Sequence, residues 1–334
     1  MSLSGRKDEY HIGIIGGSGY IGSSLARHLS SRFNVTILDR KPPEHDFGGS
    51  FMTCDIRNLS SLVKNLDNLD LVINTAIVQI PEINRDKRLG YEVNVLGIQN
   101  LCQAVESSTS VKGLLHTSSW HVFGETDLRG IIDEGFGYHP DKIDQRARFY
   151  ALCKIAQETT IRLTSEMSSK SYGVVRLGTV LGERMPEQTA ANIFIRNALK
   201  GEPITPFAHT QHRPMLYVDI QDVCKGFENF TQRILEDETS NRSITTVNLI
   251  APYPITIIEL ARIVRKNVLK FSRMRIKPRI EVIDKGTKSL YSTADKQLLK
   301  VDITKARKFL GLRKLRDPET TIENLVKERV QSLR

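Results

Sequence analysis

The stretch Tyr150-Ala-Leu-Cys-Lys154 sets a phenol and an ammonium four residues apart, a spacing that a helix places on one face. Such a pair suits proton transfer. A free phenol has a pKa near ~10, too high for a general base at neutral pH, and a cation one turn away favours the phenolate. Alone, the spacing also arises by chance as a surface contact of an ordinary helix. It gains weight from an apolar run that leads into Thr117-Ser118-Ser119-Trp120-His121-Val122-Phe123-Gly124. A hydroxyl at the carboxyl end of a strand there can hydrogen-bond a substrate's reacting oxygen while the phenol moves its proton.

A second cluster, Gly16-Gly17-Ser18-Gly19-Tyr20-Ile21-Gly22, lies between a short apolar run and an amphipathic stretch. Gly16 permits a tight turn out of a strand, and Gly19 lets the backbone approach a pyrophosphate. Gly22 lets the following helix pack close to a sheet. The helix start, at Tyr20 and Ile21, presents free N–H groups to phosphates. Asp39 ends the next apolar run, where an acid accepts hydrogen bonds from an adenosine ribose and repels a 2′-phosphate. This favours NAD over NADP, with Arg40 and Lys41 tempering the preference. Lys154 is then also placed to hold the nicotinamide ribose. Further along, Asp55 and Ile56 are expected to border the adenine, and Thr75 and Ala76 to line the cofactor crevice.

The elements that must position these groups follow a βα rhythm. Strands are expected at His11–Ile15, Val35–Leu38, Ser50–Cys54, Leu69–Asn74, Gly113–Thr117 and Gly173–Leu177. Helices are expected near Ile21–Ser31, Leu59–Leu66, Lys87–Glu106 and Phe149–Ser168. Short strands rich in Val, Ile and Leu that alternate with helices imply a parallel sheet buried on both faces. The fold class is therefore α/β, a doubly wound Rossmann domain with a smaller α/β carboxyl-terminal domain. After Arg176 the rhythm breaks. Helices are expected at Thr189–Leu199, Asp219–Ile234, Ile257–Leu269, Thr304–Phe309 and Thr320–Ser332, with strands at Thr245–Leu249 and Arg279–Ile283. The division reads as an NAD-binding domain over residues 1–178, with a return crossing near 213–250, and a substrate-binding domain over 179–334.

Taken together, the glycine turn, Ser-Ser…Val-Phe-Gly and Tyr-x-x-x-Lys resemble the extended short-chain dehydrogenase/reductases, the epimerase/dehydratase family. The likeness continues in Tyr91-Glu-Val-Asn94-Val-Leu-Gly97, Val175-Arg176-Leu-Gly-Thr179, Arg213…Tyr217-Val218-Asp219 and Val247-Asn248-Leu. It implies a catalytic triad of Ser119, Tyr150 and Lys154, Ser119 standing five residues before Gly124 and Ser118 being the close alternative. It also sets Asn94 among the cofactor-binding residues, and implies a homodimer built on the helices containing Lys87–Glu106 and Phe149–Ser168.

The resemblance has gaps. Sugar dehydratases of the family carry an acidic pair after the catalytic hydroxyl, where this chain has Trp120 and His121, so expulsion of water is not expected. Thr179 replaces an Asn that commonly helps hold a substrate pyrophosphate. Arg213 is present, and its forked guanidinium suits a phosphate. Trp120, His121, Thr179 and Arg213 join Ser119 as candidate substrate contacts. Two enzyme readings stay open, a nucleotide-sugar epimerase and an NAD-dependent dehydrogenase of a smaller hydroxy or keto substrate. A reading from another class is an RNA-binding or regulatory protein on the same fold.

The composition is that of an ordinary soluble globular protein. Of 334 residues 40% are hydrophobic and 26% charged, a globular profile, and no apolar run approaches a membrane span. The start, Met1–Glu9, is polar and lacks the apolar core of a secretory signal. Cys54, Cys102, Cys153 and Cys224 have no metal-ligand or redox spacing, which reads as reduced thiols in a cytoplasmic protein with no metal site. The net charge is +10, and Arg262–Arg316 holds 18 Lys/Arg against four acids. A solvated basic face accounts for this surplus. An anionic substrate is the sharper reading, and nucleic acid is disfavoured because no aromatic-interleaved motif accompanies the charge.

Overall fold

The computed structural model describes residues 9–236 and 244–333, so most of the polar amino-terminal stretch lies outside the described residues. The chain divides into two compact units. The first comprises Met1–Val122, Gln145–Arg176 and Cys224–Val247, and the second Phe123–Asp144, Leu177–Val223 and Asn248–Arg334.

The seven strands of the principal sheet are β1 (His11–Ile15), β2 (Asn34–Asp39), β3 (Ser50–Thr53), β4 (Leu71–Asn74), β5 (Gly113–Ser119), β6 (Ser171–Leu177) and β7 (Thr245–Leu249). Their order is β7-β6-β5-β4-β1-β2-β3. The run β3-β2-β1-β4-β5 pairs parallel throughout. The order reverses between β1 and β4, and in such a sheet ligands bind at the carboxyl ends flanking that reversal. Gly16 follows β1 and Thr75 follows β4, so both sit at that edge.

Helices α1 (Tyr20–Leu29), α2 (Leu59–Asn65), α3 (Gly97–Ser107) and α4 (Arg148–Glu166) follow the expected stretches. Leu62, Val72, Ile98, Leu101, Leu114 and Ile161 are buried in one core cluster. Each fully buried aliphatic side chain of this kind contributes about 1.5–3 kcal/mol. The expected helix Lys87–Glu106 is not uniform. It opens as α-helix over Lys87–Tyr91, widens into a π-turn over Glu92–Leu96, and resumes as α3. The Gly97 N–H reaches back to the Glu92 carbonyl, and a Cβ on Gly97 would meet Ile56 at 2.8 Å. The widened turn therefore depends on close approach to Ile56, a contact distant in sequence.

In the second unit, Thr179–Leu181 pairs parallel with Tyr217–Asp219, and Gly130–Ile132 pairs parallel with Leu299–Val301. The Asn248 N–H donates to Glu134 at 2.7 Å. These pairings group Phe123–Asp144 with the carboxyl-terminal half, so neither unit is one continuous stretch. Helices α5 (Ala190–Leu199), α6 (Ile220–Leu235), α7 (Ile257–Phe271) and α8 (Pro318–Gln331) complete the main framework. Helix α7 is fixed at its start by a capping box between Thr256 and Glu259.

Arg279–Ile283, expected as a strand, makes only isolated parallel bridges, Ile204 to Ile280 and Phe207 to Ile283. Its partner segment contains Pro203 and Pro206, which have no N–H to give a continuous ladder. Part of the basic surplus is neutralised locally by Lys266–Glu319 at 3.0 Å, Lys270–Glu323 at 2.6 Å and Lys296–Glu259 at 2.8 Å.

Candidate active site

The glycine turn is shaped by contacts that forbid side chains. Gly16 has φ +73°, and a Cβ on it would lie 2.6 Å from the Ala76 backbone. A Cβ on Gly22 would lie 2.5 Å from the Gly16 carbonyl oxygen, so the helix start packs directly against the turn. Gly19 is less crowded: its would-be Cβ meets only the Gly16 carbonyl oxygen, at 3.4 Å, so the backbone at the start of α1 is approached from one side alone. That cradle, at a helix N-terminus with no acid in its first turn, fits a pyrophosphate.

Asp39 ties the turn to the end of β2. Its carboxylate accepts the Ser18 N–H at 3.1 Å and the Lys41 N–H at 3.3 Å. Arg40 beside it is exposed. Asp55 is held by Arg57 at 2.6 Å, and that guanidinium keeps its carboxyl below the usual range. Ile56 is buried against the Gly97 turn. Thr75 Oγ1 donates to the carbonyls of Ile15 and Gly16, fastening β4 to the glycine turn. Asn94 is completely buried, accepting the Val78 N–H at 2.7 Å and donating to the Val78 carbonyl at 3.0 Å. Both ends of its amide therefore clamp the segment that follows β4. Thr75, Ala76, Tyr20 and Ile21 are half-buried.

Ser119 ends β5, and Tyr150 and Lys154 lie one turn apart on α4, as the spacing implies. The Ser119 hydroxyl lies near the Tyr150 phenol and favours its ionised form. Burial nevertheless pushes Tyr150 up to about 12, with Ser119 opposing the rise. Lys154 does not turn to the phenol: its Nζ donates to the Thr117 carbonyl at 2.6 Å, and burial lowers its ammonium to about 7. The expected depression of Tyr150 by Lys154 is thus absent from the resting arrangement, where desolvation governs both groups.

His121 stands beside this pair. Its Nδ1 is 2.9 Å from Ser119 Oγ, and its ring meets the Tyr150 ring edge-on at 5.5 Å. Trp120 is 1% exposed and lies against His121 with centroids 4.5 Å apart. It forms a wall behind the imidazole and presents almost no surface of its own.

Beneath α4 lies a buried polar network that sequence reasoning does not assemble. Ser118 donates to Glu158, and Glu158 pairs with Arg176 through contacts at 3.1, 3.1 and 2.8 Å. Ser118 is thereby committed to Glu158, leaving Ser119 as the hydroxyl beside Tyr150. Glu158 also raises the Lys154 pKa against the effect of burial. A signal for it exists: Tyr150, Lys154 and Glu158 recur every four residues and share a helix face. On the neighbouring strands Asn74 donates to His116 Nδ1 at 3.1 Å and accepts the Ala76 N–H at 3.1 Å. Burial and the nearby Lys154 keep His116 neutral, well below the ordinary histidine range.

In the second unit, Arg213 has Nη1 3.5 Å from a Glu125 oxygen, while Nε and Nη1 are buried without a hydrogen-bond partner. Both side-chain amide atoms of Asn248 are buried and equally unsatisfied. Thr179 is half-buried and its N–H donates to the Leu216 carbonyl at 2.7 Å. Phe207, 39% exposed, stacks on His209 at 5.8 Å, and Lys285 Nζ lies 4.2 Å from its ring centroid. This aromatic pair, six and four residues before Arg213, is not singled out by sequence.

The model of the NAD dependent epimerase/dehydratase family matches residues 12–241, and the chain belongs to that family. A curated relative from Escherichia coli O157:H7, N-acetyl-alpha-D-glucosaminyl-diphospho-ditrans,octacis-undecaprenol 4-epimerase, is 25% identical over 73% of this chain and 76% of its own. Mitochondrial L-threonine 3-dehydrogenase from Bos taurus is 28% identical over 91% of this chain and 78% of its own. Among solved structures, MoeE5 in complex with UDP-glucose and NAD matches with a TM-score of 0.75 at 20% identity, covering 97% of this chain and 100% of that one. UDP-glucose 4-epimerase with UDP-glucose from Thermotoga maritima matches at 0.74 and 17%, with the same coverages. The fold is that of the family's Rossmann-type enzymes. No helix among the described residues is long and apolar enough to cross a membrane.

Proposed function

We propose that this chain is an NAD-dependent nucleotide-sugar epimerase that oxidises and re-reduces one carbinol carbon. The observation that carries the reading is Ser119 at the end of β5 beside Tyr150, on a helix that also bears Lys154, with the β1 turn running through Gly19 into the start of α1 on the same sheet. NAD, when bound, supplies the hydride acceptor. Gly16, Gly19, Tyr20, Ile21 and Gly22 would hold its pyrophosphate, Asp39 and Arg40 the adenosine ribose, and Asp55 and Ile56 the adenine. Thr75 and Ala76 would line its crevice, braced by Asn94 through Val78. Tyr150 takes and returns the carbinol proton, Ser119 donates to the same oxygen, and Lys154 grips the nicotinamide ribose. In the second unit we assign Arg213 to a substrate phosphate, because two of its buried nitrogens lack hydrogen-bond partners. Phe207 supplies a face for a base, and Thr179 a further polar contact.

The resemblance to L-threonine 3-dehydrogenase, which covers 91% of this chain, supports a second reading, net oxidation of a smaller hydroxy substrate. Incubation with NAD and UDP-glucose, UDP-N-acetylglucosamine or L-threonine separates them. The proposal expects a new sugar epimer by proton NMR with no accumulation of NADH. NADH accumulating with L-threonine, and no epimer from either nucleotide sugar, would replace it with the second reading.

We further infer a homodimer in a reducing, cytoplasmic setting. Tyr91, Leu96, Leu152 and Leu163 are 49%, 46%, 44% and 60% exposed on the helices around α3 and α4, an apolar face suited to a partner copy. The four cysteines are buried and none is joined in a disulfide among the described residues. Light scattering at micromolar concentration is expected to give twice the chain mass, and a monomer would refute the assembly.

A further inference from the structure

Ser119 has one hydroxyl hydrogen and two acceptor lone pairs, and its surroundings decide where that hydrogen points. Two groups of His121 address the oxygen. The backbone N–H donates to it at 3.4 Å, and Nδ1 lies 2.9 Å away. The imidazole has little freedom to leave. Trp120 is packed against one side at 4.5 Å, and the Tyr150 ring meets it edge-on at 5.5 Å.

Nδ1 can take either role. If it is bare, it accepts the only hydrogen Ser119 has, and Ser119 can offer nothing to a substrate oxygen. If it carries a proton, it donates to Ser119 Oγ. Together with the backbone N–H it then fills both lone pairs, and the hydroxyl hydrogen is left to point toward Tyr150 and the reacting oxygen. We infer that His121 is a positioning residue whose Nδ1–H fixes Ser119 as a hydrogen-bond donor to the reacting oxygen. This rests on the reading of Ser119 and Tyr150 as the proton-transfer pair. Trp120 and His121 then act together, the tryptophan holding the ring and the ring aiming the serine.

Two substitutions separate donor capacity from packing. An asparagine amide can place an N–H near the position of Nδ1, whereas leucine fills similar space and donates nothing. With UDP-glucose and NAD, His121→Leu is expected to lower kcat by roughly 10–100-fold with KM changed little, below the roughly 10²–10³-fold cost of losing an oxyanion donor outright. His121→Asn should recover most of that loss. In Ser119→Ala, adding His121→Leu should cost almost nothing further, because the hydroxyl to be aimed is gone. Equal losses in the Leu and Asn variants, or full additivity with Ser119→Ala, would overturn the inference.

A second readout needs no turnover. In the NAD-loaded protein labelled with ¹⁵N-histidine, His121 should show a protonated Nδ1 whose resonance moves in Ser119→Ala. A bare Nδ1 would overturn the inference even if UDP-glucose were turned over. If UDP-glucose were not turned over at all, the proposed substrate class would fall, and the Nδ1 resonance would still decide the role of His121.

Discussion

Replacing Glu158 by Gln is expected to destabilise the protein and to disturb Lys154. Glu158 and Arg176 have side chains 2% and 3% exposed, and three nitrogen–oxygen contacts of 2.8–3.1 Å join them. Glutamine keeps the shape but leaves the Arg176 charge buried with no counter-charge from Glu158. Breaking a buried pair by neutralising one partner costs about 3–5 kcal/mol. An unfolding entropy of about 2.1 cal/mol/K per residue gives about 0.7 kcal/mol/K for this chain if it unfolds as one body. The melting temperature should then fall by roughly 4–7 °C, and by more if the first unit melts alone.

Scanning calorimetry of Glu158→Gln, Arg176→Met and the double variant Glu158→Leu/Arg176→Met tests this. Both singles should be strongly destabilised, and the double should lie much nearer the wild type, because apolar replacement removes the desolvation cost with the attraction. A Glu158→Gln melting point within about 1 °C of wild type would refute the reasoning, since it would correspond to a cost well below the about 3–5 kcal/mol expected for breaking the pair. The functional consequence has a definite sign. Glu158 raises the Lys154 pKa, so its neutralisation leaves less Lys154 protonated at neutral pH and weakens NAD binding.

Three further outcomes are expected. Lys154 is held near about 7 from an ordinary 10.5, so the unfolded chain binds the extra proton between those values and stability rises with pH across that window. Lys154→Met should accordingly be more stable than wild type at the acidic end and lose that advantage toward the alkaline end, and a pH-independent difference in denaturant midpoint would contradict it. Asp39→Ala should weaken NAD by about 10–100-fold and narrow the preference over NADP, as a charged hydrogen bond worth about 1.5–3 kcal/mol is lost; unchanged discrimination in titrations of both cofactors would count against the assignment. Tyr150→Phe should slow turnover by about 10²–10⁴-fold while NAD still binds, and a loss of only a few-fold would reduce the Tyr-x-x-x-Lys spacing to coincidence.

Much of the first unit was legible because its signals are local. The apolar runs that became β1, β2, β4, β5 and β6 end within two residues of where the sequence puts them, and the glycine spacing identified the turn. What failed to show depends on partners distant in the chain. The π-turn at Glu92–Leu96 forms where Gly97 meets Ile56, and periodicity along one helix contains no record of that meeting. Arg279–Ile283 has a strand's composition, but its partner carries two prolines. Phe123–Asp144 groups with the second unit through a strand pairing with Leu299–Val301, more than 150 residues later by their numbering.

The candidate site divides along the same line. Spacing told which groups share a face, and Tyr150 and Lys154 do. It could not tell their charge, because charge is set by burial, and burial belongs to the folded surroundings. Spacing alone favours a phenolate beside an ammonium, yet the resting site holds Tyr150 near about 12 and Lys154 near about 7. Both are displaced toward the neutral form, which spares the fold the cost of an unpaired buried charge. Activation then has to come from whatever enters. A positive charge arriving beside the phenol lowers its pKa, and anionic groups arriving beside Lys154 raise the ammonium's, so ligand binding and the charging of the pair favour one another. The sign follows: affinity for NAD should fall as Lys154 loses its proton, above about 7, and should lose that dependence in Lys154→Met. Titration of NAD across this range by calorimetry measures it, and an affinity that rose with pH in the wild type would mean that Lys154 grips nothing on the cofactor.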